Sequence, residues 1–241
     1  MRSSHTKIRI PVLFCATKMG NSGLGYTSGM SDDLQLFGYW RSSATYRVRI
    51  ALNLKQLSYE YRPIHLVKDG GEQHGEAYKA LNPQELVPTL LHGQTRLTQS
   101  LAIIEYLDDV FPDVPLLPAD AEQRAAVRAF AMAIACDVTP LGNLRVLQYL
   151  KRQGVETEEW SRHWIELTFA ALEQTARARD SAFCLGETVS MAECVLVPQM
   201  YNARRFGVDV SAYPKLVEID ARCMQMPAFI AASPEMQPDA T

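Results

Sequence analysis

The sequence predicts a small α/β unit followed by an all-α unit. Three observations predict it. Strand-like and helix-like periods alternate from Leu34 to Val110, the run Phe111–Pro118 carries three prolines, and every periodic segment beyond that run has helical spacing. Prolines at that density cannot continue a helix and mark a linker.

The elements follow in order. Leu34 to Tyr39 is a short apolar strand, and Ser43 to Lys55 is a helix with Val48, Ala51, Leu52 and Leu54 at helical spacing. Tyr59 to Leu66 alternates as a second strand, with Pro63 suggesting a sheet edge. Lys68 to Glu72 reads as a mobile loop and Ala77 to Leu81 as a helical turn. Strands over Thr89–Leu91 and Arg96–Thr98 flank a Gly turn, and Ser100 to Val110 is a helix. Beyond the linker, helices are predicted over Ala121–Cys136, Leu141–Gln153, Thr157–Arg179, Ser190–Phe206 and Leu216–Met224. Ser190-Met191-Ala192-Glu193 before an apolar run is a capping box. The expected division is an α/β domain over 33–112, a linker over 113–118, an all-helical domain over 119–232 and a tail over 233–241. Residues 1–29 are basic, without an acid before Asp32, and rich in Ser, Thr and Gly. They are expected to be a disordered extension upstream of Met30 or a transit-like segment, outside the fold.

Composition excludes several function classes. With 24 Lys and Arg against 27 Asp and Glu, the net charge of −3 argues against a general binder of nucleic acid or membrane surfaces. No apolar run approaches the ~20 residues of a membrane span. The five cysteines are odd in number, scattered and without a Cys-x-x-Cys pair, which points to a reducing compartment and away from a disulfide framework or a zinc site. His65, His74, His92 and His163 form no metal spacing and are expected to be structural or superficial.

The chemistry concentrates at Arg41-Ser42-Ser43-Ala44, a strand-to-helix junction. A helix N-terminus offers free amide donors and a partial positive charge, so an anion can sit there beside a serine hydroxyl. A thiol placed there ionises more readily. The same serines also suit plain N-caps. Gln99-Ser100 repeats the pattern at a later helix start, where a serine cap with free amides can take a carboxylate.

Arg41-Ser42-Ser43, Arg47 to Leu52, Ala80-Leu81-Asn82-Pro83, Val87-Pro88-Thr89-Leu90, Gln99 to Leu107 and Leu196-Val197-Pro198-Gln199, in that order and spacing, resemble the zeta class of the glutathione S-transferases. The resemblance covers residues 34–239 and implies a thioredoxin-like domain followed by an all-α domain. It implies glutathione as cofactor, no metal, a homodimer in the cytoplasm, and cis–trans isomerisation of maleylacetoacetate in aromatic amino acid catabolism, by reversible addition of the glutathione thiolate to the cis double bond. Maleylpyruvate isomerase, a general zeta-class transferase or dehalogenase, and an inactive binding module on the same fold are the alternatives. By this resemblance Ser42 and Ser43 are catalytic, Ser42 first, with Tyr39 a third candidate because other classes use a tyrosine there. Val87-Pro88 looks like the cis-proline of thioredoxin-like folds. Glutathione would also be held by Gln73, Gln99, Ser100, Thr139 and Asn143, with Gln99-Ser100 at its γ-glutamyl end. Arg41, Arg145 and Arg205 would bind the carboxylates of a small dicarboxylate substrate, with Arg204 as the neighbour weighed against Arg205. The class pattern usually reads Ser-Ser-Cys, and this chain has Ala44 in the third position, as maleylpyruvate isomerases also lack that cysteine.

Overall fold

A computed structural model of the chain describes residues 33–241, and the expected extension over 1–29 lies outside them. The described chain begins with strand β1 (Leu34–Gly38), helix α1 (Ser43–Leu54) and strand β2 (Glu60–Pro63). Helix α2 (Glu76–Leu81), strands β3 (Thr89–His92) and β4 (Thr95–Thr98) and helix α3 (Ser100–Val110) complete the first half. The four strands form one sheet in the order β2-β1-β3-β4. β1 and β2 are parallel, because α1 carries the chain across between them, and the other pairs are antiparallel. Leu36 lies opposite Tyr61 on one side and Leu90 on the other, at the centre of the sheet. β2 is shorter than the predicted Tyr59–Leu66. It is the edge strand, so the missing amide of Pro63 faces away from β1, and the Ile64 amide donates to the Gly38 carbonyl at 2.6 Å as the last rung. Gly38 ends β1 where α1 folds back, and a Cβ there would collide with Thr45 Cγ2.

The second half holds α4 (Ala121–Met132), α5 (Leu144–Arg152), α6 (Thr157–Arg179), α7 (Met191–Arg205), α8 (Pro214–Cys223) and α9 (Pro227–Ala232). α7 is the central element, with every residue from Met191 to Met200 buried, and it packs against α1, α4 and α8. Several boundaries differ from prediction. The segment after Met132 continues as a π-helical turn over Ala133–Val138. α5 starts three residues late because Asn143 caps it. α8 starts at Pro214, whose fixed φ suits the first helical position. Two 3₁₀ turns, Lys68–Gly70 and Glu72–His74, occupy the predicted loop. α9 was not predicted; it packs against α1.

Two buried charged side-chain clusters fasten the linker and the start of α7. Lys55 Nζ donates to Asp108 Oδ1 at 2.8 Å and to the carbonyls of Phe111 and Val114 at 2.9 and 2.7 Å. Asp108 also accepts from the amides of Leu116 and Leu117, so the proline-rich run is fastened rather than loose. At the start of α7 the capping box is formed: Ser190 Oγ accepts from the Ala192 amide, and the fully buried Glu193 carboxylate accepts from the amides of Ser190 and Cys184 and from the Ser190 hydroxyl. Ser190→Ala is expected to cost about 1 kcal/mol. Glu193→Ala strands three buried donors and is expected to cost about 3 kcal/mol or more. Urea denaturation with unchanged m values checks both magnitudes.

Candidate active site

The β1–α1 junction is built around Ser42. It has extended backbone angles (φ −71°, ψ 116°) and caps α1, its Oγ accepting from the Thr45 amide at 3.2 Å. That bond uses a lone pair and leaves the hydroxyl proton free to donate. The amides of Ser43 and Ala44 follow, without an acceptor among the described residues. No acidic residue lies in the first turn, so nothing in the helix neutralises its positive end. The cap and the anion site are therefore compatible functions of one serine.

The loop before Ser42 is fastened from behind by residues far along the chain. Arg49, 0 % exposed, donates to the carbonyls of Trp40 (2.9 Å), Tyr39 (3.5 Å) and Ala232 (2.9 Å). Asp239 Oδ2 accepts from the Trp40 amide at 3.0 Å and the Tyr61 hydroxyl at 3.4 Å. Residues 233–241, expected to be a tail, thus return to the junction, with Ser233, Pro234 and Gln237 buried. Asp239→Ala is expected to lower stability by about 1–2 kcal/mol. It should speed hydrogen exchange at the Trp40 amide more than at the Leu36 amide; equal effects at both would show that the tail does not hold this loop in particular.

A cavity of about 400 Å³ opens in front of the junction, within the ~300–1,000 Å³ usual for small-molecule sites. Tyr39, Arg41, Ser42, Ser43, Gln73 and Val87 line it from the sheet side. The Val87–Pro88 peptide is cis, and the amide and carbonyl of Val87 have no hydrogen-bond partner among the described residues. From the helical side come Thr139, Asn143, Arg145 and Arg205. The π-helical turn delivers Thr139, whose amide and hydroxyl both donate to the Ile134 carbonyl at 2.9 Å. Asn143 Oδ1 accepts from the Arg145 amide at 3.1 Å as the cap of α5. Gln73 is buried, donates to the Leu66 carbonyl, and leaves its Oε1 without a partner.

The cavity is cationic. Arg41 lies over the Trp40 ring at 5.1 Å and Arg205 over Phe206 at 4.5 Å. Desolvation lowers the pKa of Arg205, and the charge of Arg41 facing it lowers it further. Arg41, Arg145 and Arg205 form no ion pair with any described carboxylate. Arg204 instead pairs with Asp220 at 2.6 Å, which separates it from its neighbour.

Pro88, Gln99 and Ser100 are not part of the cavity wall. The expected serine cap at Ser100 needs correction. Gln99 holds the cap position with φ 69° and no side-chain cap bond, and Ser100 is the first helical residue. Gln99 Nε2 donates to Gln84 Oε1 at 3.0 Å, and Gln84 does line the cavity. Sequence reasoning missed Trp164, whose buried indole N–H lacks a partner among the described residues, and His74, which also lines the cavity. His74 Nδ1 bonds Glu85 and holds that carboxyl below the usual range. Only the four-residue spacing of Trp160 and Trp164, which puts them on one helix face, hints at the first, and nothing local hints at the second. Among the described residues no group of three or more His, Cys, Asp or Glu is arranged to hold a metal, and no helix is long and apolar enough to cross a membrane.

A mixed sheet with a cis-proline before β3, a serine-capped α1 and a helical second half define a glutathione S-transferase fold, and comparison with known proteins narrows the class. Residues 36–115 match the family Glutathione S-transferase, N-terminal domain. The chain is 52 % identical over 211 residues, 86 % of its length and 98 % of the relative's, to a Vibrio cholerae protein named "Probable maleylacetoacetate isomerase". A holo structure of maleyl pyruvate isomerase, described as a bacterial zeta-class glutathione S-transferase, superposes with a TM-score of 0.83 at 44 % identity, covering 86 % of this chain and all of that one. A maleylacetoacetate isomerase structure from Methylobacterium extorquens AM1 with bound malonate and GSH has a TM-score of 0.81 at 38 % identity, covering 86 % and 99 %. The chain belongs to the glutathione S-transferase family, in its zeta class, beside the maleylacetoacetate and maleylpyruvate isomerases.

Proposed function

We propose that this chain is a glutathione-dependent cis–trans isomerase that converts maleylacetoacetate to fumarylacetoacetate. The observation that carries the proposal is that a capped but proton-bearing serine, at the free-amide end of α1, shares one cavity with arginines that no protein carboxylate neutralises. A relative of the same fold is described with bound malonate, a dicarboxylate, and GSH, and another with dicarboxyethyl glutathione and citrate in its active site, which supports a site that takes glutathione and carboxylates together.

The donor set suits glutathione. Val87 offers an unused amide and carbonyl to a peptide backbone, in the manner of one more strand rung. Gln73, Thr139 and Asn143 supply polar wall around it. Bound there, glutathione supplies a thiolate that adds to the cis double bond and later leaves, so that the bond rotates in between. Ser42 donates its hydroxyl proton to the sulfur, and the Ser43 and Ala44 amides add the positive end of α1. A free thiol has a pKa of about 8.5, and lowering it by about two units needs roughly 2.7 kcal/mol. A hydrogen bond to a charged group, about 1.5–3 kcal/mol, with a helix end worth about 0.3–1 kcal/mol reaches that sum. Arg41, Arg145 and Arg205 orient the substrate carboxylates and take up negative charge that develops in the transition state.

Ala44 and the likeness to maleyl pyruvate isomerase favour maleylpyruvate as the second reading. Offering each substrate with glutathione and following loss of the cis species decides between them. Turnover of neither sinks the isomerase, and failure to bind immobilised glutathione leaves an inactive module. Ser42→Ala is expected to lower kcat/KM about a hundredfold and move the rising limb of the pH–rate profile to higher pH, since an unsupported thiol ionises later. Ser43→Ala should do less, and the reverse order would transfer the role. Arg205→Ala is expected to raise the substrate KM roughly 10- to 100-fold while glutathione affinity stays within about threefold. We further propose a homodimer, in line with the family and with α5, which buries none of its residues in the single chain; light scattering should give the mass of two chains. A cytoplasmic location suits the unpaired cysteines.

A further inference from the structure

Arg47 is the cation in this fold whose burial is hardest to explain. It lies one turn into α1, is 2 % exposed, and takes part in no ion pair among the described residues. Its partners are two neutral hydroxyls: Nη2 donates to Thr139 Oγ1 at 2.5 Å and Nη1 to Ser100 Oγ at 3.3 Å. Its Nε has no partner. The other buried cations are better served, Lys55 by Asp108 and two carbonyls and Arg49 by three carbonyls. Burial lowers the Arg47 pKa to about 10, which leaves the guanidinium charged at neutral pH. A desolvated charge without a counter-charge is costly, and strongly perturbed buried groups of this kind cluster at functional sites.

We propose that Arg47 is the buried counter-charge for the α-carboxylate at the γ-glutamyl end of glutathione, and that it acts through the hydroxyl of Ser100. The assignment rests on the glutathione reading above and adds to it a positioning residue off the cavity wall. Of the two hydroxyls that touch the guanidinium, only one can relay. Thr139 already gives its proton to the Ile134 carbonyl, whereas Ser100 accepts from Arg47 and keeps its proton for an outside acceptor. A hydroxyl that accepts from a cation is polarised into a stronger donor. Ser100 opens the 11-residue helix α3, and the amides of Ser100, Leu101 and Ala102 have no acceptor among the described residues. The carboxylate would therefore meet hydroxyl, helix end and guanidinium charge from one side. The helix start adjoins the cavity through the Gln99–Gln84 bond, and Arg47 adjoins it through Thr139. Arg41 and Arg205, near one another at the serine junction, remain for the substrate.

The test compares glutathione with an analogue whose γ-glutamyl group is replaced by 4-aminobutyryl, which removes the α-carboxylate and little else. Titration calorimetry on the full chain gives both affinities for wild type, Arg47→Lys, Arg47→Gln and Ser100→Ala. Wild type is expected to prefer glutathione roughly 10- to 100-fold, the worth of one hydrogen bond to a charged group. In Arg47→Gln and Ser100→Ala the preference should shrink to about threefold or less, with analogue affinity almost unchanged, and Arg47→Lys should restore part of it. A merely structural arginine would weaken both ligands equally, and an unchanged ratio in Arg47→Gln overturns the assignment alone. If Arg47→Gln does not fold, Ser100→Ala decides by the same ratio. Failure of wild type to bind glutathione at all overturns the glutathione reading and this assignment with it.

Discussion

Helix α1 carries two arginines that the fold buries completely, and the arrangement of the site depends on how their charges are accommodated. Arg49 is answered by carbonyl oxygens of Tyr39, Trp40 and Ala232. Those carbonyls can point inward only if the loop before Ser42 and the end of α9 converge on the same side chain. The position of the serine junction is thus set by a cation beneath it. Arg47 is answered by hydroxyls at the start of α3 and the end of the π-helical turn. One helix thereby fixes two walls of one cavity, the serine junction and Thr139, together with the helix start that adjoins it. Since Thr139 belongs to the helical half, the two halves of the chain are joined at the site itself.

Local chemistry made much of this legible in the sequence. The Ser42 cap, the capping box at Ser190, the strand–helix alternation and the long helix Thr157–Arg179 follow from short-range rules, and the structure forms them with those residues. What was not legible depends on distant contacts. The π-helical turn leaves the apolar period nearly intact, so Ala121 to Cys136 reads as one helix although the last turn is widened to aim Thr139. The return of residues 233–241 rests on a single aspartate finding the Trp40 amide about two hundred residues away. Ser100 has the composition of a cap, but the left-handed Gln99 before it moves the cap position by one residue and turns the serine toward Arg47. Nothing in the apolar spacing of α1 marks Arg47 and Arg49 as buried, and only packing shows that no surface is left for them.

The electrostatics of the cavity oppose those of the whole chain. A net charge of −3 would repel a dianion at long range, yet screening confines that field to about 10 Å. Within the cavity the decisive charges are Arg41, Arg145 and Arg205, none of them neutralised by a described carboxylate. Desolvation and then the Arg41 charge lower the pKa of Arg205, and a ligand carboxylate placed between the two arginines would relieve their repulsion. In the proposed reaction, placing these cations beside the positive end of α1 would separate two tasks, holding carboxylates and stabilising sulfur, that act on neighbouring atoms.

Ala44 shows why the sulfur has to be brought in. The residue after the serine pair, where the class usually carries cysteine, has no thiol here. None of the described cysteines lines the cavity. Cys184, Cys194 and Cys223 are buried, and desolvation pushes their thiols far up, away from the nucleophilic form. Cys136 is exposed on the π-helical turn but is not part of the wall. Around the cavity the chain therefore provides what stabilises a thiolate, a hydroxyl proton, two free amides and a helix end, without a thiolate of its own. A site so equipped can act on a maleyl double bond only with a thiol that enters as a ligand. That ligand must be held firmly enough to remain through addition and elimination, and anchoring its distant carboxylate from the core, on Arg47 through Ser100, meets the requirement without adding charge beside the reacting atoms.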